Sequence, residues 1–548
     1  MQAFRLGINM AGAVSAGAYT AGVLDFLMEA LDSWHDARNR REAVPMHEIS
    51  LDVFSGASAG GMCAAIAAAM VQGEFEHIHD TTRTNTTNRF YESWVNKIDI
   101  RELLKKQDLA DGNPVYSLLD CTIIDQIAEY AIVPGPPKRR TYISPGLTLF
   151  LTLTNLVGIP YSLNDQGGSA EESTLYHADW LRFETVLPGA RPLAMTAKPL
   201  PLQHPTDGAW PLLQEAAKAT GAFPIFLKPR KITRDIADYE RPLWESINPE
   251  ADHGPLVKPC WPEGTGPTIE TINVDGGVID NDPFNLAHDY LAMQEPRAPK
   301  NQNPRDPQQA DRAVVTVSPF PAQGKFIANP TMESEASVPN AIGGLISVFI
   351  AQSRFFGESL AVIATGASSR FVVAPSDDQL PSGTPALQCA SLGAFGGFFE
   401  RSFRAHDYQL GRRNCQQFLR CHFALPTSNP IIQAGLSPEA LAKFRTPAPT
   451  DATGYRDEPW IPIIPLCSDA LNRDESHPAQ GKISHSSLSD IVDLIDSRVN
   501  AVLPALLHSA PTDLRIAIGT VARIVELFGK GKLKEALAVQ FGGNVEGS

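Results

Sequence analysis

Three small-residue stretches could carry chemistry. In Gly56-Ala57-Ser58-Ala59-Gly60-Gly61 a serine sits in a G-x-S-x-G pattern, between an apolar run at residues 51–54 and an alanine-rich run at residues 63–70. Strand, sharp turn and helix with a serine at the apex is the arrangement of a nucleophile elbow, which aims a hydroxyl at a carbonyl carbon. The residues flanking Ser58 are all small, as so sharp a turn requires. A helix starting there would also place backbone N–H groups and the positive end of its dipole beside Ser58, where an oxyanion would form. The same residues would serve equally as a turn with no chemistry. Asp275-Gly276-Gly277 closes a short stretch, Glu270 to Val274, that reads as a strand. That puts a carboxylate at a strand's carboxyl end, where open α/β sheets gather functional groups; a simple Asp-Gly turn is the plainer reading. The third stretch, Gly12-Ala13-Val14-Ser15-Ala16-Gly17, matches neither the dinucleotide glycine pattern nor the P-loop lysine pattern. Its better use is to present backbone N–H groups to an oxyanion.

Composition narrows the possible partners. At 548 residues the chain exceeds one ordinary core, so more than one subdomain is expected. The net charge of −15 argues against nucleic acid and against global attraction to anionic membranes. Seven scattered cysteines without a C-x-x-C pair suit a reducing compartment, and neither a disulfide framework nor a zinc site. No run reaches the ~20 apolar residues of a membrane-spanning helix; residues 342–350 are too few, and Gln352 and Arg354 end them. Residues 5–24 loosely mimic a signal peptide, but they are rich in glycine and alanine and contain Asn9, Ser15 and Thr20. A cytoplasmic protein is therefore expected.

The elements that must position these residues follow from periodicity. Residues 4–10 predict a first strand, the small-residue loop follows, and residues 19–41 carry Val23, Leu24, Leu27, Met28, Leu31 and Trp34 at helical spacing. Strand, loop and helix then repeat around Ser58, and two successive units of this kind predict a parallel α/β sheet. Further strands are expected at residues 147–156, 270–274, 313–317 and 371–374. Helices are expected at 115–131, 212–220, 285–293, 341–364, 488–507 and 514–539. Residues 166–173, 235–266 and 295–312 read as loops or insertions. The aromatic and basic stretch 395–423 could lie on a membrane surface, or pack as a helix by its aromatic face with its arginines solvated. His406-Asp407 lies within it, but adjacent helical residues point about 100° apart and cannot both easily address Ser58. Prolines recur through 425–465, which reads as a linker or wrapping segment, and Lys530, Lys532 and Lys534 as a solvated helix face.

In this order the motifs resemble the patatin-like phospholipases, serine acyl hydrolases with a Ser–Asp dyad. GAVSAGAYTAGVL at 12–24 resembles the family's glycine-rich oxyanion loop and the helix after it. GASAGG at 56–61 resembles its nucleophile elbow, and AAKATGAFP at 216–224 a helix-to-loop segment found between that elbow and the aspartate motif. DGGVIDNDP at 275–283 resembles the family's aspartate motif with its trailing Asn-Pro. The resemblance covers residues 1–320 well and 371–423 loosely. One departure stands out. Where the family runs G-G-G-x-R-G, this chain has Gly12, Ala13, Val14, Ser15, Ala16 and Gly17, and alanine and valine lack glycine's access to positive φ. The interval from Ser58 to Asp275 is also long.

The resemblance implies a three-layer fold, a central mostly parallel sheet flanked by helices, with a largely helical C-terminal extension. It implies an acyl-hydrolase domain over residues 1–425, followed by a segment of unknown role at 426–548. Ser58 would be the nucleophile and Asp275 the base, acting without a histidine. N–H groups of Gly12, Ala13, Val14 and Ala59 would hold the oxyanion, with Gly17, Gly56, Gly60, Gly276 and Gly277 as the motif glycines. The substrate would be a lipid or phospholipid, reached by transient, peripheral membrane contact; no metal or other cofactor is needed. Two alternatives remain at this point: a scaffold that has lost hydrolysis through its altered loop, or a Ser–His–Asp enzyme using His288 or His406.

Overall fold

A computed structural model describes residues 2–163, 172–239, 259–293, 303–321, 369–509 and 534–546, apart from short gaps at 113, 136–137, 188–189, 194–195, 203–207, 382–383, 451, 453 and 536. The helix expected at 341–364, most of that at 514–539 with Lys530 and Lys532, and much of the loops at 166–173, 235–266 and 295–312 lie outside the described residues.

The centre is a mixed sheet whose middle strands run parallel. Strands β1 (Ala3–Met10), β2 (Glu48–Gly56), β3 (Ile143–Leu163), β4 (Glu172–Val186) and β5 (Lys198–Pro201) are followed by β6 (Arg230–Asp235), β7 (Thr268–Asp275), β8 (Arg312–Val317) and β9 (Arg370–Val373). Their order is β5-β4-β3-β2-β1-β8-β9, with the β6–β7 pair joined to β3 through β7. Pairings of β1 with β2 and β8, of β2 with β3 and of β8 with β9 are parallel. Those of β3 with β4 and β7 are antiparallel. Strands β1 and β8 read as nearly continuous apolar runs because helices cover both sheet faces.

One face carries α1 (Gly17–Asn39), α2 (Ser58–Met70), α4 (Trp210–Thr220) and α6 (Arg401–Cys421), packed over Phe4, Leu6, Ile8 and Leu51. The other carries α5 (Phe284–Met293), whose Phe284, Ala287 and Leu291 pack on Val53, Phe150 and Val314. Helix α3 (Thr122–Ala131) starts later than the expected residue 115. Residues 117–121 instead make extended contacts, Leu118 and Leu119 N–H donating to the carbonyls of Ile225 and Phe226, and the Asp120 carboxylate caps Thr122.

Helix α6 corrects the expectation of solvated arginines. It lies along α1 so closely that a Cβ on Gly22 would overlap the Tyr408 carbonyl, and one on Gly411 the Tyr19 carbonyl. Arg412 is 0% exposed and meets Asp25, Glu29 at 2.6 Å and Glu475 at 2.7 Å. Buried Arg404 donates to the carbonyls of Val95 at 3.1 Å and Gly397 at 2.7 Å. Such burial is tolerated only because each guanidinium is met by acceptors.

The C-terminal portion is helical and does not wrap loosely. The short strands β10 (Ala424–Pro426) and β11 (Trp460–Pro462) pair, and Ile461, Ile463 and Ile464 enter the main core, which corrects the linker reading of 425–465. Helix α7 (His485–Ser509), expected at 488–507, sends Leu488, Ile491 and Val492 into a second core with Ile98, Ile124, Ile127 and Phe541. Among the described residues no helix is long and apolar enough to cross a membrane.

Candidate active site

Strand β3 brings the expected residues together. Its 148–163 stretch is lined on one edge by β4. Both β2 and β7 must therefore lie along the other edge, and they approach from opposite directions. Strand β2 ends with Gly56 opposite Leu151; β7 ends with Asp275 opposite Leu153. The two carboxyl ends thus face each other, and the elbow and the aspartate project into the space between.

In that space Ser58 Oγ donates to Asp275 Oδ2 at 2.7 Å. Both side chains are buried. Ser58 has a φ of +52°, the left-handed backbone of a sharp strand-to-helix turn. Its own N–H donates to Thr220 Oγ1 at 3.0 Å, at the end of α4. Gly60 is required here by close approach: a Cβ would overlap the carbonyls of Met10 and Ala11 at the end of β1. Gly56 lies against Gly60 across the elbow, Gly17 against the Trp94 ring, and Gly276 against the Thr152 carbonyl. Asp275 is fixed by its N–H to the Ala222 carbonyl at 3.0 Å, while its Oδ1 accepts from Gly277 N–H at 2.7 Å. Burial pushes its carboxyl up to about 7, only partly offset by the hydrogen bonds from Ser58 and Gly277.

The N-terminal loop is less uniform than expected. Gly12 is already committed as a donor: its N–H goes to the Asn281 carbonyl at 3.0 Å, and the Asn281 side chain fills the space a Cβ would take on Gly12 or Gly277. Among the described residues the N–H groups of Ala13, Val14 and Ala59 donate to no backbone carbonyl. Ala13 keeps a negative φ of −150°, but Val14 takes +49°. Ser15 Oγ, fully buried, donates to the Ala394 carbonyl and accepts from Gly397 N–H.

An apolar cleft opens from Ser58 and Asp275, about 630 Å³ with its open mouth included. Val14, Met62, Trp94, Ile127, Phe223 and Phe395 are among the residues that line it. That apolar lining, with Ser58 and Asp275 at one end, suits a hydrocarbon chain carrying a polar group.

Neither histidine of the triad alternative is joined to the serine. Among the described residues, the hydrogen-bond partners of Ser58 are Asp275 and Thr220. His406 pairs with Asp407 at 2.8 Å, and Asp407 is taken up by the N–H groups of Gln388 and Cys389. His288 sits on α5, across the sheet from α2, beside Asp289. Among the described residues, two clusters have metal-ligand spacing, Glu29/His79/Glu475 and Asp377/Asp378/His477. Neither lines the cleft, and Arg412 already serves the first. Thr220, Asn281 and Ser15 escaped the sequence reading as site residues, although each lies in or beside a motif that was recognised.

An elbow serine bonded to a buried strand-end carboxylate thus stands at the foot of an apolar cleft on an α/β sheet. The family model for patatin-like phospholipase matches residues 9–288, and the chain belongs to that family of lipid acyl hydrolases. It is 32% identical to the uncharacterised protein y4iI of Sinorhizobium fredii (strain NBRC 101917 / NGR234), over 94% of this chain and 78% of that one. Among solved structures, VipD from Legionella pneumophila is matched over 79% of this chain and 67% of that one. Its sequence identity is 12% and its TM-score 0.22, too slight a likeness to bear on the fold.

Proposed function

We propose that the protein is a phospholipase A-type lipid acyl hydrolase that works through Ser58 and Asp275. The observation that carries this reading is the 2.7 Å hydrogen bond from Ser58 Oγ to a carboxylate buried beside it. Ser58 Oγ attacks the ester carbonyl carbon as its proton passes to Asp275. The N–H groups of Ala13, Val14 and Ala59 receive the oxyanion, the last at the positive end of α2. When the tetrahedral intermediate collapses, the bond to the alcohol breaks and Asp275 returns the proton to the departing oxygen. Water, deprotonated by Asp275, then attacks the acyl carbon; the bond to Ser58 Oγ breaks as Asp275 returns the proton to that oxygen, and the fatty acid is freed. The acyl chain lies in the cleft beside Met62, Trp94 and Ile127. Gly12 has a structural part, tying the loop to the segment after Asp275 through Asn281.

Every group in this scheme belongs to residues 1–425, the proposed acyl-hydrolase domain. Within residues 426–548, α7 shares a core with Ile98, Ile124 and Ile127. The test is fatty-acid release from phospholipids, lysophospholipids and neutral lipids by wild type and Ser58→Ala. Release by wild type alone is expected; no release from any lipid overturns the assignment.

A further inference from the structure

Beside the mouth of the cleft the chain puts apolar side chains into water. Ile225 is 71% exposed, Tyr116 59% and Phe226 38%. They belong to one knuckle, because the carbonyls of Ile225 and Phe226 accept from Leu118 and Leu119 N–H at 2.9 and 3.0 Å. A further bond from Leu227 N–H to the Phe223 carbonyl closes the turn, and Cys121 Sγ accepts from Lys228 N–H. The protruding side chains are therefore held on a fastened backbone.

Two features of the knuckle work against stability. Exposing large apolar groups forgoes the gain of burying them. Ile225 also holds a φ of +72°, a conformation that β-branched residues rarely adopt. Costs of this kind, met together, mark positions kept for function. The knuckle is continuous with the cleft. Phe223 and Leu227 line it, and the Phe226 ring packs 5.3 Å from that of Phe395, another lining residue. Lys228 stands over the Tyr116 ring at 5.5 Å, so the patch ends in a phenol and an ammonium. An apolar tip rimmed by such amphipathic groups suits the boundary between hydrocarbon and headgroups.

We propose that Tyr116, Ile225 and Phe226 form the surface by which this protein docks on a lipid–water interface, so that the cleft opens onto the lipid. The inference rests on the acyl-hydrolase reading of the same cleft. The chain's charge of −15 disfavours attraction to an anionic surface, which makes a zwitterionic one the matching partner. Docking then comes from insertion of apolar side chains and is insensitive to salt.

The full chain is tested by co-sedimentation with phosphatidylcholine vesicles, and in parallel by hydrolysis of a short-chain ester dissolved as monomer. Wild type is expected to bind the vesicles at low and at high salt. The double variant Tyr116→Ser/Ile225→Ser should partition roughly tenfold less or weaker still, with cleavage of the soluble ester unchanged. A matched variant, Leu156→Ser/Val157→Ser, alters exposed apolar residues on β3 and should bind as wild type does. Equal binding by the Tyr116/Ile225 variant, or no binding by wild type, overturns the docking surface. If wild type binds vesicles and the variant does not, yet neither cleaves any ester, the surface stands and the hydrolase reading falls.

Discussion

Val14 and Ser58 reach the same cleft from different loops, and both hold a left-handed backbone, with φ of +49° and +52°. Neither side chain suits that conformation, which costs a non-glycine residue roughly 1–2 kcal/mol. Two strained residues facing one cavity place strain where backbone N–H groups must be aimed.

Replacing Ser58 separates the strain from the chemistry. Ser58→Ala and Ser58→Gly both remove the hydroxyl, and both should lower ester hydrolysis by several orders of magnitude and abolish labelling by a fluorophosphonate probe. Only glycine relaxes at φ +52°. Ser58→Gly should therefore be the more stable of the two by about 1 kcal/mol, read from thermal unfolding.

Asp275 should set both the pH dependence of activity and part of that of stability. Its carboxyl titrates at about 7 in the folded chain, raised by burial, and the base must be ionised to act. Hence kcat/KM should rise through about pH 7. The folded state holds this proton more tightly than the unfolded chain, whose aspartates titrate near 4, so stability drains away as pH rises from about 4 to about 7. Asp275→Asn lacks that penalty. Its gain in Tm over wild type should be larger at pH 8 than at pH 5, with hydrolysis lost at both. An Asp275→Asn protein as active as wild type, together with an inactive His288 or His406 variant, would point to the triad instead.

The cleft makes a prediction about chain length. Ile127 lines it from α3, with Ile98 and Ile124 beside it. Ile127→Trp fills hydrocarbon space without touching Ser58 or Asp275. Long-chain esters should lose about tenfold or more in kcat/KM, most of it in KM, while butyrate esters stay within about twofold.

Arg412 should be among the costliest residues to remove. Arg412→Met leaves Asp25, Glu29 and Glu475 buried without their shared cation, a loss of about 3–5 kcal/mol. Burial alone would push the Asp25 carboxyl up, but Arg412, His77 and the Ile78 N–H together hold it well below the usual carboxylate range. That part of the stability is complete at neutral pH and fades as pH falls below about 4. The difference in Tm between wild type and Arg412→Met should therefore shrink in acid.

Local pattern made the front half of the molecule readable. Strands β1, β2 and β8 announce themselves as short, largely apolar runs and β7 as a short β-type stretch, with Ser58 and Asp275 in small-residue turns at the ends of two of them. Long-range pairing stayed hidden. Residues 117–121 look helical in isolation, but the N–H groups of Leu118 and Leu119 find carbonyls more than a hundred positions away at Ile225 and Phe226. The arginines of α6 look like a solvated face, because nothing local reveals that the carboxylates of Asp25, Glu29 and Glu475 will enclose Arg412. Gly12 looks like an oxyanion donor until Asn281, itself far along the chain, takes its N–H.

The meeting of β2 and β7 along β3 works like a butt joint held by a batten. Neither end of the joint grips the other through a strand ladder; both are pinned to β3, at Leu151 and Leu153. Alignment across the gap is thus inherited from two neighbouring positions on a third strand, whatever length of chain is looped out between them. Such a joint lets insertions accumulate between its halves without moving the serine relative to the aspartate. It also makes the register at Leu151–Leu153, rather than any spacing in the sequence, the measure of whether a distant relative keeps the pair in reach.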